Sequence, residues 1–262
     1  MPAAEDPNAV SGHFESKASL TLWRPPGSER WPWLETWVTT RIGGTSPAPY
    51  ATLNLEASTG DAATHVETNR DLLRQALRLE GLPSYRLRQV HGDLVLRAGA
   101  DTPPQADGLW TEVPGEVLVV GVADCVPVFL WDARHRRLAL VHAGWRGTAA
   151  DIVVRGIETL LQAGGNAADL HVALGPSIGP CCYAVGPEVT ARLPEALVER
   201  PGAPPHLDLR QANRRRALAL GVPAAQIFAA PPCTGCDPEH FFSHRKLGPR
   251  TGRHWALAWM RS

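Results

Sequence analysis

The strongest chemical signal in the sequence is a cysteine and a histidine at the ends of a predicted hairpin. Residues 123–148 read ADCVPVFLWDARHRRLALVHAGWRGT. Two apolar runs, 126–131 and 138–141, flank a charged turn, which predicts an antiparallel hairpin. Cys125 precedes the first strand and His142 follows the second, so strand pairing makes them neighbours across the ladder. A thiolate beside an imidazole is either two ligands of a metal site or a nucleophile with its base.

A second histidine is the candidate third member of this group. The run 86–90 predicts a strand that delivers His91, followed by a glycine. Two imidazoles and one thiolate with a fourth position open suit catalytic zinc, and the same set also suits copper. A metal-free interpretation remains, with Cys125 as nucleophile, His142 as base and His91 as its helper. Asp124 is a candidate for orienting a histidine or transferring a proton.

Three arginines in glycine-containing segments are candidates for holding an anion. Arg41 opens a loop with two glycines and two prolines, whose exposed N–H groups can cradle an anion. Arg146 lies in the turn after the hairpin, and Arg245 follows the run FFSH. A guanidinium group binds a phosphate or carboxylate through two parallel hydrogen bonds. These arginines therefore mark predicted anion-binding positions.

The other four cysteines carry a weaker signal. Cys181 and Cys182 are adjacent, and vicinal cysteines rarely bind one metal together. Cys233 and Cys236 form a single C-x-x-C without histidine partners at zinc spacing, which is a weak metal signal. The default interpretation of the latter two is a buried pair of thiols.

Alternating strands and helices must position these groups. Apolar residues at helical spacing predict helices over 61–80, with an aspartate as its cap, and over 148–162. Apolar runs predict strands over 117–122, 170–174 and 255–260, and the first is apolar throughout, so it is expected to be central. Repeats and low-complexity segments are absent, which favours a single folding unit.

Composition excludes several classes of protein. The 262 residues carry 26 basic and 26 acidic side chains, so no basic excess favours nucleic acid or an anionic membrane. No apolar run is long enough to span a bilayer, and residues 1–12 do not read as a secretory signal. Five cysteines, an odd number, do not suggest a disulfide framework. We therefore expect a cytoplasmic protein with reduced thiols.

Short motifs in a fixed order give a specific family resemblance. They are RIGGTS with PY and LNL (41–55), QVHG (89–92), ADG (106–108), ADCVP (123–127), VHAGWRGT (141–148), GPSIG (175–179), CT (233–234) and FFSHR (241–245). The ordered set, over roughly residues 35–260, resembles the YfiH-type polyphenol oxidase (laccase-domain) family. That family is also described as a purine nucleoside phosphorylase family.

The resemblance implies a fold and a metal site. The implied fold is α/β (α+β): a single-domain α/β/β/α sandwich of mixed sheets with helices outside. We assign residues 31–262 to this catalytic domain and expect 1–30 to be a partly disordered N-terminal segment. The family's zinc ligands fall on His91, Cys125 and His142, all of which are intact.

The resemblance also implies reactions. They are phosphorolysis of adenosine, inosine, guanosine and S-methyl-5'-thioadenosine, and deamination of adenosine. The expected partners are thus a nucleoside and phosphate. Neither nucleic acid nor a membrane is an expected partner. The oligomeric state, monomer or weak dimer, stays open. Arg41 and Arg146 are the candidates for holding phosphate and Asp124 for proton transfer. Further candidates for substrate contact lie in the same motifs: Asn54, Gln89 and Arg245.

Other classes compete with this interpretation. Some relatives edit peptidoglycan precursors, which suits a metal-free cysteine hydrolase built on Cys125. Copper-dependent phenol oxidation is the older implied reaction, but a multicopper site needs clustered histidines. The ten histidines include no H-x-H pair. A non-catalytic scaffold ranks last, because three soft ligands at strand ends have little use in one.

Overall fold

Strands outnumber helices in the computed structural model, which describes residues 12–99, 104–199 and 201–261. The strands in these ranges are β1 His13–Lys17, β2 Leu20–Arg24, β3 Leu34–Thr39, β4 Ser84–Tyr85, β5 Val95–Arg97, β6 Gly108–Thr111, β7 Val117–Val122, β8 Val126–Asp132, β9 Arg137–Ala143, β10 Leu170–Leu174, β11 Leu197–Val198, β12 His206–Leu207, β13 Ile227–Phe228 and β14 His254–Met260. The α-helices are α1 Ala63–Leu77, α2 Trp145–Ala149, α3 Ile152–Gln162, α4 Pro187–Thr190, α5 Leu209–Ala219 and α6 His244–Leu247. None of these helices is long and apolar enough to cross a membrane.

Two six-stranded mixed sheets form the centre of the molecule. Sheet one has the order β1-β2-β3-β14-β7-β4, and sheet two has the order β13-β10-β8-β9-β6-β5. Most pairs are antiparallel, while β4–β7, β5–β6 and β10–β13 are parallel. β11 and β12 form a separate small ribbon.

Alternate side chains of each strand enter different cores. On β8, Phe129 and Trp131 pack between the two sheets, while Val128 and Leu130 pack with α3 on the outer face. On β7, the odd-numbered valines pack with residues of α1 on the outer face of sheet one. Both faces of these strands are buried, which explains why they read as continuous apolar runs. The layers are therefore helix, sheet, sheet and helix, which confirms the α/β/β/α sandwich.

The predicted hairpin is confirmed as β8 and β9, and the strand over 170–174 is β10. The helix expected over 148–162 differs in one respect. The structure forms α2 from 145, interrupts it at Asp151, and continues as α3. Asp151 has a left-handed backbone with φ of 66°, which an α-helix does not admit. The apolar spacing on which the prediction depends belongs to α3 alone.

Two strands lie in the described part of the N-terminal segment. Residues 12–30 include β1 and β2, which pair with each other and join sheet one through β3, and partial disorder of the segment 1–30 stays a prediction. Leu20 and Leu22 are buried against α1, so apolar burial fixes these strands. Residues 1–11 lie outside the described part of the chain.

Candidate active site

Hairpin register positions Cys125 and His142. β8 and β9 pair with Val126 opposite Ala143 and Pro127 opposite His142. Cys125 directly precedes β8, so it is a diagonal neighbour of His142 rather than its direct partner. Diagonal side chains remain within reach of one another on the same face of a ladder. Cys125 and His142 are therefore neighbours across the ladder, as predicted, although the residue directly opposite Cys125 is two positions after His142.

His91 reaches the same place from a tight loop. Its backbone has a φ of 61°, in the left-handed region that few residues other than glycine adopt. Three consecutive backbone N–H groups, from Val90 to Gly92, donate to the Asp107 carboxylate at 2.7–3.1 Å. This buried carboxylate fixes the conformation of the loop.

Asp107 also orients a histidine. Its Oδ1 lies 2.9 Å from His142 Nδ1. With Nδ1–H donating to this carboxylate, the lone pair of His142 Nε2 is left for a metal or for a proton. Sequence reasoning took Asp107 for a structural turn residue, and the only available signal was its place in the ADG motif.

The three side chains form one compact group. One ligand atom from each of His91, Cys125 and His142 lies within 4.8 Å of the others. The two imidazole rings meet edge to face, with centroids 4.8 Å apart. A Cβ on Gly144 would stand 3.0 Å from Cys125 Sγ and 3.1 Å from His91 Cδ2. A side chain at this position would therefore crowd two members of the group, which would have to shift by a few tenths of an ångström.

The charges within the group favour a thiolate. Burial alone disfavours it, but His142 and His91 outweigh burial and lower the pKa of Cys125 to about 6. Burial likewise disfavours a protonated His142, yet Cys125 and Asp107 raise the pKa of His142 to about 9. Without a metal, Cys125 is a thiolate and His142 an imidazolium. A metal that binds His142 must therefore displace its proton. Two nitrogens and one thiolate then make three legs of a tetrahedral zinc site.

Two cavities meet at this group. The larger, about 620 Å³, is lined by Glu56, Arg86, Arg88 and Arg253 among others. The smaller, about 270 Å³, is lined by Trp145, Arg146, Tyr183 and Arg245 among others. Both cavities share His91, Ala123, Cys125 and His244. The open side of the three-residue group therefore faces room for two ligands.

The predicted anion-binding arginines separate into two kinds. Arg146 and Arg245 line the smaller cavity. Arg146 packs on the Trp145 ring, and its guanidinium has no hydrogen-bond partner among the described residues. Arg41 does not line either cavity. Its guanidinium donates to the carbonyls of Ala51 and Pro238, so it holds two loops together.

Two predicted substrate-binding amides have structural contacts instead. The side chain of Asn54 is fully buried, donates to Asp61 and accepts from the backbone of Arg253. Gln89 lines the larger cavity, but its amide forms both of its hydrogen bonds with the Gly121 backbone. These contacts hold residues of the cavity wall in place, and a role of the two amides in substrate binding stays a prediction.

Asp124 forms no hydrogen bond with a histidine among the described residues, and its role in proton transfer stays a prediction. Its Oδ1 accepts from Thr234 Oγ1 at 2.6 Å and Ser243 Oγ at 2.7 Å, and its Oδ2 accepts from the Arg245 backbone at 2.6 Å. With these partners the carboxylate fastens two distant loops next to Cys125. Its backbone φ of 88° is left-handed, which this network holds in place.

Sequence reasoning missed several cavity residues. Both carboxylate oxygens of Glu56 accept from one Arg86 nitrogen, Nη2, at 2.6 and 2.7 Å, so the two residues form a paired wall of the larger cavity. Arg253 approaches His244 where the cavities meet. These residues are 30 to almost 200 positions apart, so no local motif signals them.

Comparison with known proteins identifies the family. Residues 35–261 match the family described as multi-copper polyphenol oxidoreductase laccase. The chain is 36% identical to purine nucleoside phosphorylase YlmD of Geobacillus stearothermophilus, over 84% of this chain and 88% of that protein. It is 38% identical to a purine nucleoside phosphorylase of Xylella fastidiosa, over 95% of this chain and 99% of that protein.

Solved structures agree with the sequence match. The crystal structure of YlmD from Geobacillus stearothermophilus superposes with a TM-score of 0.88 at 33% identity, over 95% of this chain and 99% of that chain. YfiH of Bacillus licheniformis superposes with a TM-score of 0.86 at 29% identity and the same coverage. The chain therefore belongs to the laccase-domain family of YlmD and YfiH.

Proposed function

We propose that this protein is a zinc-dependent purine nucleoside phosphorylase. The observation that carries the proposal is the convergence of His91, Cys125 and His142 where two cavities meet, with one side open. The names of the similar proteins from Geobacillus and Xylella support the same reaction. The proposed substrates are adenosine, inosine, guanosine and S-methyl-5'-thioadenosine, with phosphate as the second substrate.

The donor set suits zinc better than a copper cluster. Three protein ligands and an open position are typical of catalytic zinc, whereas multicopper chemistry needs many histidines. Among the described residues, the groups able to hold a metal are this one and a cluster of four cysteines. Bound zinc would supply a Lewis acid and lower the pKa of a bound water.

The residues that line the two cavities indicate which substrate each cavity would bind. The larger cavity has the volume of a small-molecule site, so we place the nucleoside there. The smaller cavity suits phosphate, because the unpaired guanidinium of Arg146 lies there beside Arg245. Phosphate would then approach C1′ of the ribose, and the base would leave on the opposite side. Hydrolytic deamination of adenosine is proposed for the same open position.

Product analysis tests this function. Zinc-loaded protein is incubated with each of the four nucleosides, with and without phosphate, and Cys125→Ala protein is the control. Adenine and ribose 1-phosphate that form only with phosphate support phosphorolysis, and inosine supports deamination. If wild-type protein converts none of the four nucleosides, the proposed function is wrong.

A metal-free cysteine hydrolase is the second candidate. The observation that favours it is the order Cys125, His142 and Asp107, a thiolate–imidazolium pair with an orienting carboxylate. Metal analysis separates the two candidates. Protein that stays free of metal in zinc buffer and is alkylated stoichiometrically at Cys125 favours the hydrolase, with peptidoglycan precursors as the next substrates.

A further inference from the structure

Four cysteines outside the active site meet between two loops. Cys181 and Cys182 lie in the loop after β10, and Cys233 and Cys236 in the loop after β13. β10 and β13 are parallel neighbours, so their carboxyl ends leave the sheet at the same edge. We call this group the four-cysteine cluster.

The sulfur positions have the size of a four-thiolate metal site. All four Sγ atoms lie within 4.8 Å of one another. Cys181 Sγ is 3.3 Å from Cys233 Sγ and 3.2 Å from Cys236 Sγ, and Cys182 Sγ is 3.4 Å from Cys236 Sγ. Zinc–sulfur bonds of about 2.3 Å give a tetrahedron with sulfur–sulfur edges of about 3.8 Å. All four are free cysteines, so small outward shifts would make room for one ion.

The surrounding backbone is shaped for sulfur ligands. The Gly179 N–H donates to Cys233 Sγ at 3.1 Å. Such N–H donors to sulfur are part of the second shell that tunes thiolate metal sites. A Cβ on Gly235 would stand 3.0 Å from Cys182 Sγ, so the C-x-x-C turn needs glycine at this position to let the two loops approach.

Arg210 lies beside the cluster. Burial lowers the pKa of Arg210, and nearby negative charge, that of Cys233 first, opposes this shift. Its guanidinium also donates to the carbonyls of Ser177 and Pro232, one in each loop. A divalent ion with four thiolates carries a net charge of about −2. Arg210 is placed to offset part of that charge.

We propose that the four-cysteine cluster binds one zinc ion, separate from the active site. Four protein ligands leave no open position, which is the property of a structural site. None of the four cysteines is among the residues that line the two cavities. The sulfurs enclose space for a single ion rather than a multi-iron cluster. This inference does not depend on the proposed function.

The zinc would fasten the loops that hold the active site. In one loop, the Ile178 N–H donates to the Asp124 carbonyl at 2.9 Å. In the other, Thr234 next to Cys233 donates to the Asp124 carboxylate. Asp124 directly precedes Cys125, so both loops of the cluster contact the residue before the active-site thiol.

Metal counting of full-length protein tests the proposal. Protein purified under reducing conditions, then given zinc and dialysed, is compared with Cys125→Ser and with the double variant Cys181→Ser/Cys236→Ser. We expect about two zinc ions per chain in the wild type and about one in each variant. Loss of the second zinc should lower the Tm by about 5–15 °C. One zinc in the wild type and none in Cys125→Ser would overturn the proposal.

Cobalt spectra test metal binding by the four-cysteine cluster without any substitution in the cluster. In Cys125→Ser, bound cobalt should show the intense visible and sulfur-to-metal bands of a tetrahedral four-thiolate site. Weak octahedral bands, as for cobalt in water, would contradict a four-thiolate site. An intact mass lower by about four hydrogens under non-reducing conditions would indicate two disulfides instead. Iron in place of zinc after purification would overturn the choice of metal.

Discussion

The candidate active-site group and the four-cysteine cluster differ in the number of ligands that they offer. His91, Cys125 and His142 offer three ligands and open onto two cavities, and the buried Asp107 holds the two histidines. The four-cysteine cluster offers four ligands, is partly exposed, and lies outside both cavities. An open position leaves room for a substrate, whereas a complete tetrahedron only joins parts of the chain. Removal of a ligand should therefore affect chemistry at one site and stability at the other.

The largest predicted contrast is between Cys125→Ala and Cys236→Ala. Metal activation of a substrate is worth several kcal/mol, so Cys125→Ala should lower phosphorolysis by about 1,000-fold or more. Cys236→Ala should keep most of its activity at 25 °C but lose thermal stability. Initial rates with inosine and phosphate, measured beside a melting curve, test both. A comparable loss of rate in the two variants would contradict the separate roles of the two groups.

Asp107→Asn should weaken the active site. The amide oxygen can still accept from one pair of donors, but the amide NH2 group then faces the other pair, and the charge that assists the hydrogen bonds from His142 and the 90–92 backbone is lost. Loss of such a partner typically lowers metal affinity by about 10–100-fold. Competition with a zinc indicator measures the affinity, and exposed Asp93→Asn is the matched control. Affinity equal to that of the control would mean that Asp107 has only a backbone role.

Gly144→Ala should act on the active site through contact alone. The added methyl group would press on Cys125 Sγ and His91 Cδ2 at about 3 Å, so we expect a loss of about tenfold in zinc affinity. Gly186→Ala is the control, because a Cβ there meets nothing within 4 Å. The four-cysteine cluster should be unaffected, as read from the cobalt bands of each variant. An unchanged affinity in Gly144→Ala would show that the loop relaxes freely.

The smallest predicted effect distinguishes the cavity arginine from the loop arginine. Arg146→Gln should raise the KM for phosphate by about three- to tenfold, because a charge-assisted hydrogen bond is lost at a solvated site. Arg41→Gln should leave that KM unchanged and lower the Tm, because Arg41 bonds to two loop carbonyls. Phosphate titrations at saturating nucleoside decide the matter. A higher KM in Arg41→Gln alone would reverse the assignment.

Local patterns predicted the core of the fold and the three side chains that the structure brings together at the candidate active site. The hairpin, β10 and the candidate ligands His91, Cys125 and His142 are all marked by short runs of sequence. The sequence did not predict where α2 begins and ends. The break at Asp151 depends on backbone strain, which apolar spacing does not report. The order of strands within the two sheets likewise depends on contacts between distant segments.

The residues around the group were harder to predict for the same reason. Asp107 and Asp124 are both acidic residues beside glycine or cysteine, and only their partners reveal which one orients His142. The four-cysteine cluster joins two weak signals from loops some 50 residues apart. Parallel pairing of β10 with β13 brings them together, and sequence spacing alone does not predict that pairing.

The place of β14 in sheet one has a consequence for synthesis of the chain. β14 follows every other described strand in sequence, yet it lies between β3 and β7 in the interior of the sheet. Until residues 254–260 have left the ribosome, β3 and β7 each present an unpaired edge. The segment 243–245 that fastens Asp124 is translated only shortly before. The nascent chain thus stays open to edge pairing and proteolysis until β14 has emerged, and a chaperone that covers these two strand edges would protect it.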